Sequence, residues 1–215
     1  MVDFRAHSNV PTISGDESGQ LLERYGPLAQ AVRDLIDASI RTQADDPTAR
    51  EVTAQIQQLT ERLRAGTLSD SPGLRYVVDG RPLAWGNAVV GLRNPIAPPL
   101  VIQHGETGHC WSDFYLGAAY EGPPSLVHGG VSALVLDHVL GEAASDGLTK
   151  PRYTGTITVK YLRGTPLGPL RAEASIYRKD GVKTYARGHI SDANGVTVEA
   201  DGVFITPSWA RDGLE

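Results

Sequence analysis

The sequence holds a single cysteine, Cys110, so no disulfide can form within the chain. That fits the reducing environment of a cytoplasm, and Cys110 itself reads as a small packed apolar residue. A cluster of Lys and Arg is also missing. Against 20 basic residues stand 25 acidic ones, a formal charge of −5, which argues against nucleic acid as a partner. No apolar run is long enough to span a membrane. The start, Met-Val-Asp-Phe-Arg-Ala-His, has no basic segment followed by an apolar one, so a secretory signal is not expected. What remains is a chain of 215 residues, 40% of them apolar, sufficient for one domain or one domain plus an extension.

The most informative stretch is Leu126-Val-His-Gly-Gly-Val-Ser-Ala-Leu-Val-Leu-Asp-His-Val-Leu-Gly-Glu-Ala-Ala144. Between Gly129 and Gly141 its polar side chains are Ser132, Asp137 and His138 alone. Apolar residues at 131, 134, 135, 139 and 140 follow helical spacing, and the other faces are mostly apolar too. Such a helix is normally buried, and a carboxylate on it needs a reason, whether an ion pair, exposure or chemistry. At its start, His128-Gly129-Gly130 gathers unpaired backbone N–H groups that suit a negatively charged oxygen.

Around it the pattern changes. Residues 1 to about 19 are polar and read as loose. A first helix is expected with Pro27 in its first turn and Leu28, Val32, Leu35, Ile36 and Ile40 as its stripe. A second is capped at Asp46-Pro47, with Val52, Ile56, Leu59 and Leu63, and ends at Gly66. The pair is expected to form a helical hairpin that packs on the main domain or on a partner subunit. Residues 67 to 99 read as a connecting segment with a short strand around Ala88–Leu92. Leu100–Gln103 and His109–Leu116 read as strands joined by Gly105–Gly108. Beyond Gly147, Tyr153–Tyr161 alternates, which places Thr154, Thr156, Thr158 and Lys160 on one side. Asp180-Gly181 and Asn194-Gly195 mark turns between long strands. One wholly apolar helix among antiparallel strands implies an α+β domain over about 96 to 207 in which the sheet wraps the helix.

His128 and Asp137 lie nine residues apart, roughly 13 Å along a helix axis and on roughly opposite sides. One helix therefore cannot bring Asp137 and its own Gly-Gly amides onto one reacting group. Two antiparallel copies can, which implies a twofold dimer with sites at the interface if the two features cooperate.

Tyr120-Glu-Gly-Pro-Pro-Ser-Leu-Val-His-Gly-Gly130, with Asp137 nine after the His, resembles the PaaI-like hotdog-fold acyl-CoA thioesterases, in particular the branch with Glu-Gly-Pro-Pro before His-Gly-Gly. The resemblance runs from 94 to 206 and includes Asn94-Pro-Ile-Ala-Pro-Pro99 and Thr154-x6-Tyr161-Leu-Arg163. It implies a hotdog domain over 81–215 and an N-terminal extension with two helices over 1–80. It further implies hydrolysis of an acyl-CoA thioester to free acid and coenzyme A, without metal or cofactor, by a cytoplasmic homodimer or homotetramer with shared sites. In that scheme the Gly129 amide, with Gly130, polarises the thioester carbonyl. Asp137 is general base or nucleophile, and Thr154 hydrogen-bonds the carboxylate or the water. His128 of the same motif is a candidate catalytic residue, or caps a loop with its ring. Gly122 stands where many relatives carry Asn, next to the substrate. Tyr161, which closes the Thr-to-Tyr strand, is expected to bind substrate, and Arg163 either meets the phosphates of coenzyme A or is an exposed strand-end residue. Adjacent helical residues point about 100° apart, so His138 reads as a satisfied histidine rather than a dyad partner of Asp137. His104 and His109 bracket a turn without the Cys or carboxylate spacing of a metal site. Two rival functions stay open: a hotdog dehydratase or hydratase, and a non-catalytic acyl-CoA-binding module.

Overall fold

The structure, a computed structural model, describes residues 10–67, 75–106 and 108–211. The first nine residues of the polar start, part of the connecting segment and Thr107 of the Gly105–Gly108 turn lie outside the described residues. In chain order come β1 (Thr12–Ile13), α1 (Gly15–Arg41), α2 (Asp46–Arg64), β2 (Arg75–Val78), β3 (Arg81–Ala84), β4 (Gln103–His104) and β5 (His109–Leu116). After them come α3 (Gly129–Ala144), β6 (Tyr153–Tyr161), β7 (Gly168–Asp180), β8 (Lys183–Asp192) and β9 (Gly195–Ile205).

The first helix begins well before Pro27, contrary to the expectation of a loose start. Ser14 Oγ accepts from the Glu17 N–H at 3.1 Å while the Ser14 N–H donates to Glu17 Oε2 at 2.8 Å. This reciprocal cap satisfies two end groups and nucleates the helix despite Gly15 and Gly19, leaving Pro27 inside it. The two helices do not share one docking role. Helix α1 reaches the following loop through Arg33, whose Nε donates to Ala97 O at 3.2 Å and whose Nη2 lies 3.0–3.3 Å from the carbonyls of Gly91, Leu92 and Asn94. Arg93 in turn stacks 3.7 Å over the Tyr25 ring. Helix α2 buries no residue, and Leu59 and Leu63 are each 54% exposed. Replacing Arg33 by Met strands those carbonyls. We expect a loss of about 2 kcal/mol, read as a lower midpoint in urea unfolding with unchanged slope.

The connecting segment holds a hairpin that the composition concealed. Strands β2 and β3 pair antiparallel across Asp79-Gly80, both at positive φ (49° and 78°), and β1 adds in parallel to β2. The 80/81 boundary falls inside this hairpin, between its turn and β3. Ala88–Leu92 is a set of turns instead of a strand, because Asn87 Oδ1 accepts from the amides of Val89 (2.7 Å) and Val90 (3.1 Å). Of Leu100–Gln103, Gln103 alone falls in a strand, β4.

The main sheet is antiparallel, in the order β4-β5-β7-β8-β9-β6, and curls around α3 as expected. Val135, Leu136, Val139 and Leu140 of the helix are fully buried against Leu116, Ile190, Val198 and Phe204. Ala172, Ala174, Ala186 and Ala200 on the sheet's concave face are short enough to let the helix sit close. This is the hotdog architecture. The two-residue turns are Gly181-Val182 and Ala193-Asn194, one residue removed from the expected ones, since Asp180 pairs with Lys183 and Asp192 with Gly195.

Candidate active site

At the start of α3 the chain makes its own cap. The N-cap residue is His128, and its Nδ1 accepts from the Gly130 N–H at 3.0 Å, so that nitrogen is unprotonated. Gly130's amide is thereby spent. The Gly129 N–H has no partner among the described residues and lies at the positive end of the helix. Val131 and Ser132 amides both turn back to His128 O, at 2.9 and 3.3 Å. Tyr161 Oη donates to Gly129 O at 2.8 Å and pins the first turn from β6. Gly122 is required by contact: a Cβ there would stand 2.8 Å from His128 Cα, so no side chain fits between the Pro-Pro loop and the cap.

Two turns on, Asp137 is half-buried and its Oδ1 accepts from Thr154 Oγ1 at 2.9 Å. Its second oxygen has no partner among the described residues. This pairing depends on a bulge. Thr154 pairs with Phe204 and Thr156 with Val203, so Gly155 is an extra residue. The bulge reverses the alternation. Thr154 joins Ile157, Val159 and Tyr161 on the helix side, opposite the buried or small positions of β9, while Thr156, Thr158 and Lys160 face away. The expected single row of threonines is therefore broken at its first member.

Gly129 and Asp137 open into different recesses. Gly129 lines one of about 240 Å³ with Tyr161 and Arg163, and Asp137 lines one of about 360 Å³ with Thr154, His138 and Glu142. The nine-residue offset thus separates them within one chain. Arg163 is turned to Asp192 in a two-pronged pair, Nη1 to Oδ2 at 2.9 Å and Nη2 to Oδ1 at 2.5 Å, and also donates to Gly195 O at 2.7 Å. The guanidinium holds the Asp192 carboxyl down at about 2.

A family model described as the thioesterase superfamily matches residues 125–199. The crystal structure of a thioesterase superfamily protein is 32% identical over 84% of this chain and 90% of that one, with a TM-score of 0.76. The chain belongs to the thioesterase superfamily. Among other similar structures are a point mutant of the phenylacetic acid degradation protein PaaI from Thermus thermophilus and a Bacillus halodurans protein solved with CoA. The first is 16% identical over 50% of this chain and 93% of that one, at a TM-score of 0.47. The second is 24% identical over 44% of this chain and 68% of that one, at 0.41. No curated protein matches the chain. No helix among the described residues is long and apolar enough to cross a membrane.

In this thioesterase superfamily member the last turn of the helix adds a residue that sequence reasoning missed. Glu142, 7% exposed, sits between His104 (Nε2 to Oε1, 3.4 Å) and His138 (Nε2 to Oε2, 3.9 Å). The signal was present, since His138 and Glu142 are i and i+4. Burial lowers the pKa of His138 and outweighs the raising effects of Glu142 and Asp137. His109 instead meets Glu173 at 3.0 Å, so the two histidines of the turn point to different carboxylates. Burial, with the Glu142 charge next in weight, pushes the Cys110 thiol up to about 12, as befits a packed residue. Pro82 and Ala84 of β3, and Asn87 just beyond it, also line the Asp137 recess. Nothing in their local sequence announces that position.

Proposed function

We propose that the protein hydrolyses an acyl-CoA thioester to a free acid and coenzyme A. The observation that carries this reading is the Asp137 carboxylate, oriented through one oxygen by Thr154 with the other unpartnered in an open recess. That is the arrangement of a positioned base or nucleophile. A water that gives its proton to Asp137 adds to the thioester carbonyl, and the tetrahedral adduct collapses with cleavage of the C–S bond as that proton passes to the departing coenzyme A thiolate. Alternatively the carboxylate attacks directly, the same C–S bond breaks to release the thiolate, which takes a proton from solvent, and water then hydrolyses the resulting anhydride. In either case charge builds on the carbonyl oxygen. The Gly129 N–H is the donor left for it, and Gly130 is not counted because its hydrogen bonds to His128. His128 acts as the cap that shapes this turn, and Tyr161 steadies it from the strand. Arg163, committed to Asp192, is left out of the scheme.

Because the amide and the carboxylate open into separate recesses, we place the working site between two antiparallel copies of the chain, each giving one of the two groups. Release of free thiol from a panel of acyl-CoAs is the direct test, with every acyl group left unhydrolysed as the result that removes the proposal.

Thr154→Val keeps the β-branched shape that suits a strand and deletes the hydroxyl. We expect turnover to fall about tenfold, the size of one hydrogen bond to a charged group, with a nearly constant Michaelis constant. A change confined to the Michaelis constant would reassign Thr154 to binding.

A further inference from the structure

Arg152 stands two residues before Thr154 and lines the same recess as Asp137. Its Nε donates to Thr184 Oγ1 at 3.2 Å and its Nη1 to Pro151 O at 2.9 Å. Both acceptors are neutral, and both belong to buried residues. Among the described residues its Nη2 has no partner, and no carboxylate lies within ion-pairing distance of it. The other cation of the recess, Lys150, is held by Asp146 at 2.9 Å. Neither carboxylate of the recess pairs with Arg152: Asp137 accepts from Thr154 through one oxygen, and Glu142 lies 3.4 Å from His104 Nε2 and 3.9 Å from His138 Nε2, with its Oε2 outside hydrogen-bond distance of any described residue.

A half-buried guanidinium without a counter-ion is costly, since a charge taken from water is normally repaid by a partner. Burial accordingly draws the Arg152 pKa below the ordinary arginine value. Anchoring Pro151 and Thr184 does not call for a charge; a glutamine could donate to the same oxygens. The charge and the free edge of the fork suit a planar or tetrahedral oxyanion from outside the chain.

We propose that Arg152 binds an anionic group of the substrate, a phosphate or a carboxylate, at the recess that holds Asp137. The proposal rests on reading that recess as the thioester site and specifies what the site recognises. Two parts of a substrate carry such a group: the phosphates of coenzyme A, or a carboxylate at the far end of the acyl chain.

The experiment measures binding separately from turnover, using titration calorimetry with coenzyme A, phosphate-free pantetheine and glutarate on wild type and Arg152→Gln. The expected result is a loss of about tenfold or more in affinity for the anion concerned. Weakened coenzyme A with unchanged pantetheine identifies the phosphates; weakened glutarate with unchanged coenzyme A identifies an acyl carboxylate. Kinetics on cleaved thioesters should show the same loss in the Michaelis constant, with kcat within about twofold. A wild type that binds coenzyme A through Arg152 yet releases no thiol would sink the hydrolase reading and leave this proposal standing. Wild type that binds neither anion, or a folded variant with both affinities within about twofold of wild type, overturns it. If Arg152→Gln does not fold, the salt dependence of the wild type decides. Anion binding should weaken as sodium chloride rises from about 50 to about 500 mM, and an unchanged affinity is the overturning result.

Discussion

Asp137→Asn should lower thioester hydrolysis by about a hundredfold or more, equivalent to about 2.7 kcal/mol of transition-state stabilisation. The substitution keeps the size of the side chain and lets the amide oxygen go on accepting from Thr154 Oγ1, as Oδ1 does at 2.9 Å. What disappears is the charge on the second oxygen, which the mechanism uses either to take a proton or to attack. The fold should not suffer. Asp137 makes no ion pair among the described residues, and the packing of α3 rests on Val135, Leu136, Val139 and Leu140. Circular dichroism and the thermal midpoint should match wild type while thiol release falls. A folded variant that hydrolyses acyl-CoA at near wild-type rate would make Asp137 a structural residue.

Mixing two inactive variants should restore about a quarter of wild-type activity. Gly129→Pro removes the N–H itself at the first position of α3. Proline is well accommodated there, and His128 (φ −59°, ψ 130°) has the extended backbone that a following proline favours. Its Cβ would lie 3.3 Å from the Tyr161 ring, an exposed side chain with room to give. With Asp137→Asn in the other parent, a mixed dimer holds one site with both damaged groups and one with neither. Random re-association makes about half of the dimers mixed, each with one of two sites working, hence the quarter. If subunit exchange is verified and no thiol release returns, the two groups do not meet across an interface, and the antiparallel arrangement is wrong.

Much of the domain was legible because its signals are local. The apolar run from Gly129 sets a buried helix, and the two turns between long strands set a meander. The sheet-around-helix arrangement then follows from the need to bury that helix on all sides. The misreadings came where local and non-local signals compete. Gly15 and Gly19 made the start of α1 look loose, although Ser14 and Glu17 carry a capping box. Ala88–Leu92 is rich in β-branched residues, yet the Asn87 side chain takes its amides for turns.

The candidate site divides along the same line. The helix start at Gly129, the carboxylate at Asp137 and the offset that keeps them apart are read from the sequence and the pitch of a helix, whereas Thr154 stood out through the family resemblance alone. Their chemical availability is not read there, because it depends on which partners the fold supplies. In a regular strand Thr154 and Tyr161, seven residues apart, would point to opposite faces, and the bulge at Gly155 brings both onto the helix. Gly130 and Gly129 look equivalent as letters, but the His128 ring takes the amide of Gly130. Arg163 and Arg152 are both strand-end cations in sequence. The β8–β9 turn gives Arg163 a carboxylate at Asp192 and leaves Arg152 with neutral acceptors, so the tertiary contacts alone decided which of the two keeps a free charge at the recess.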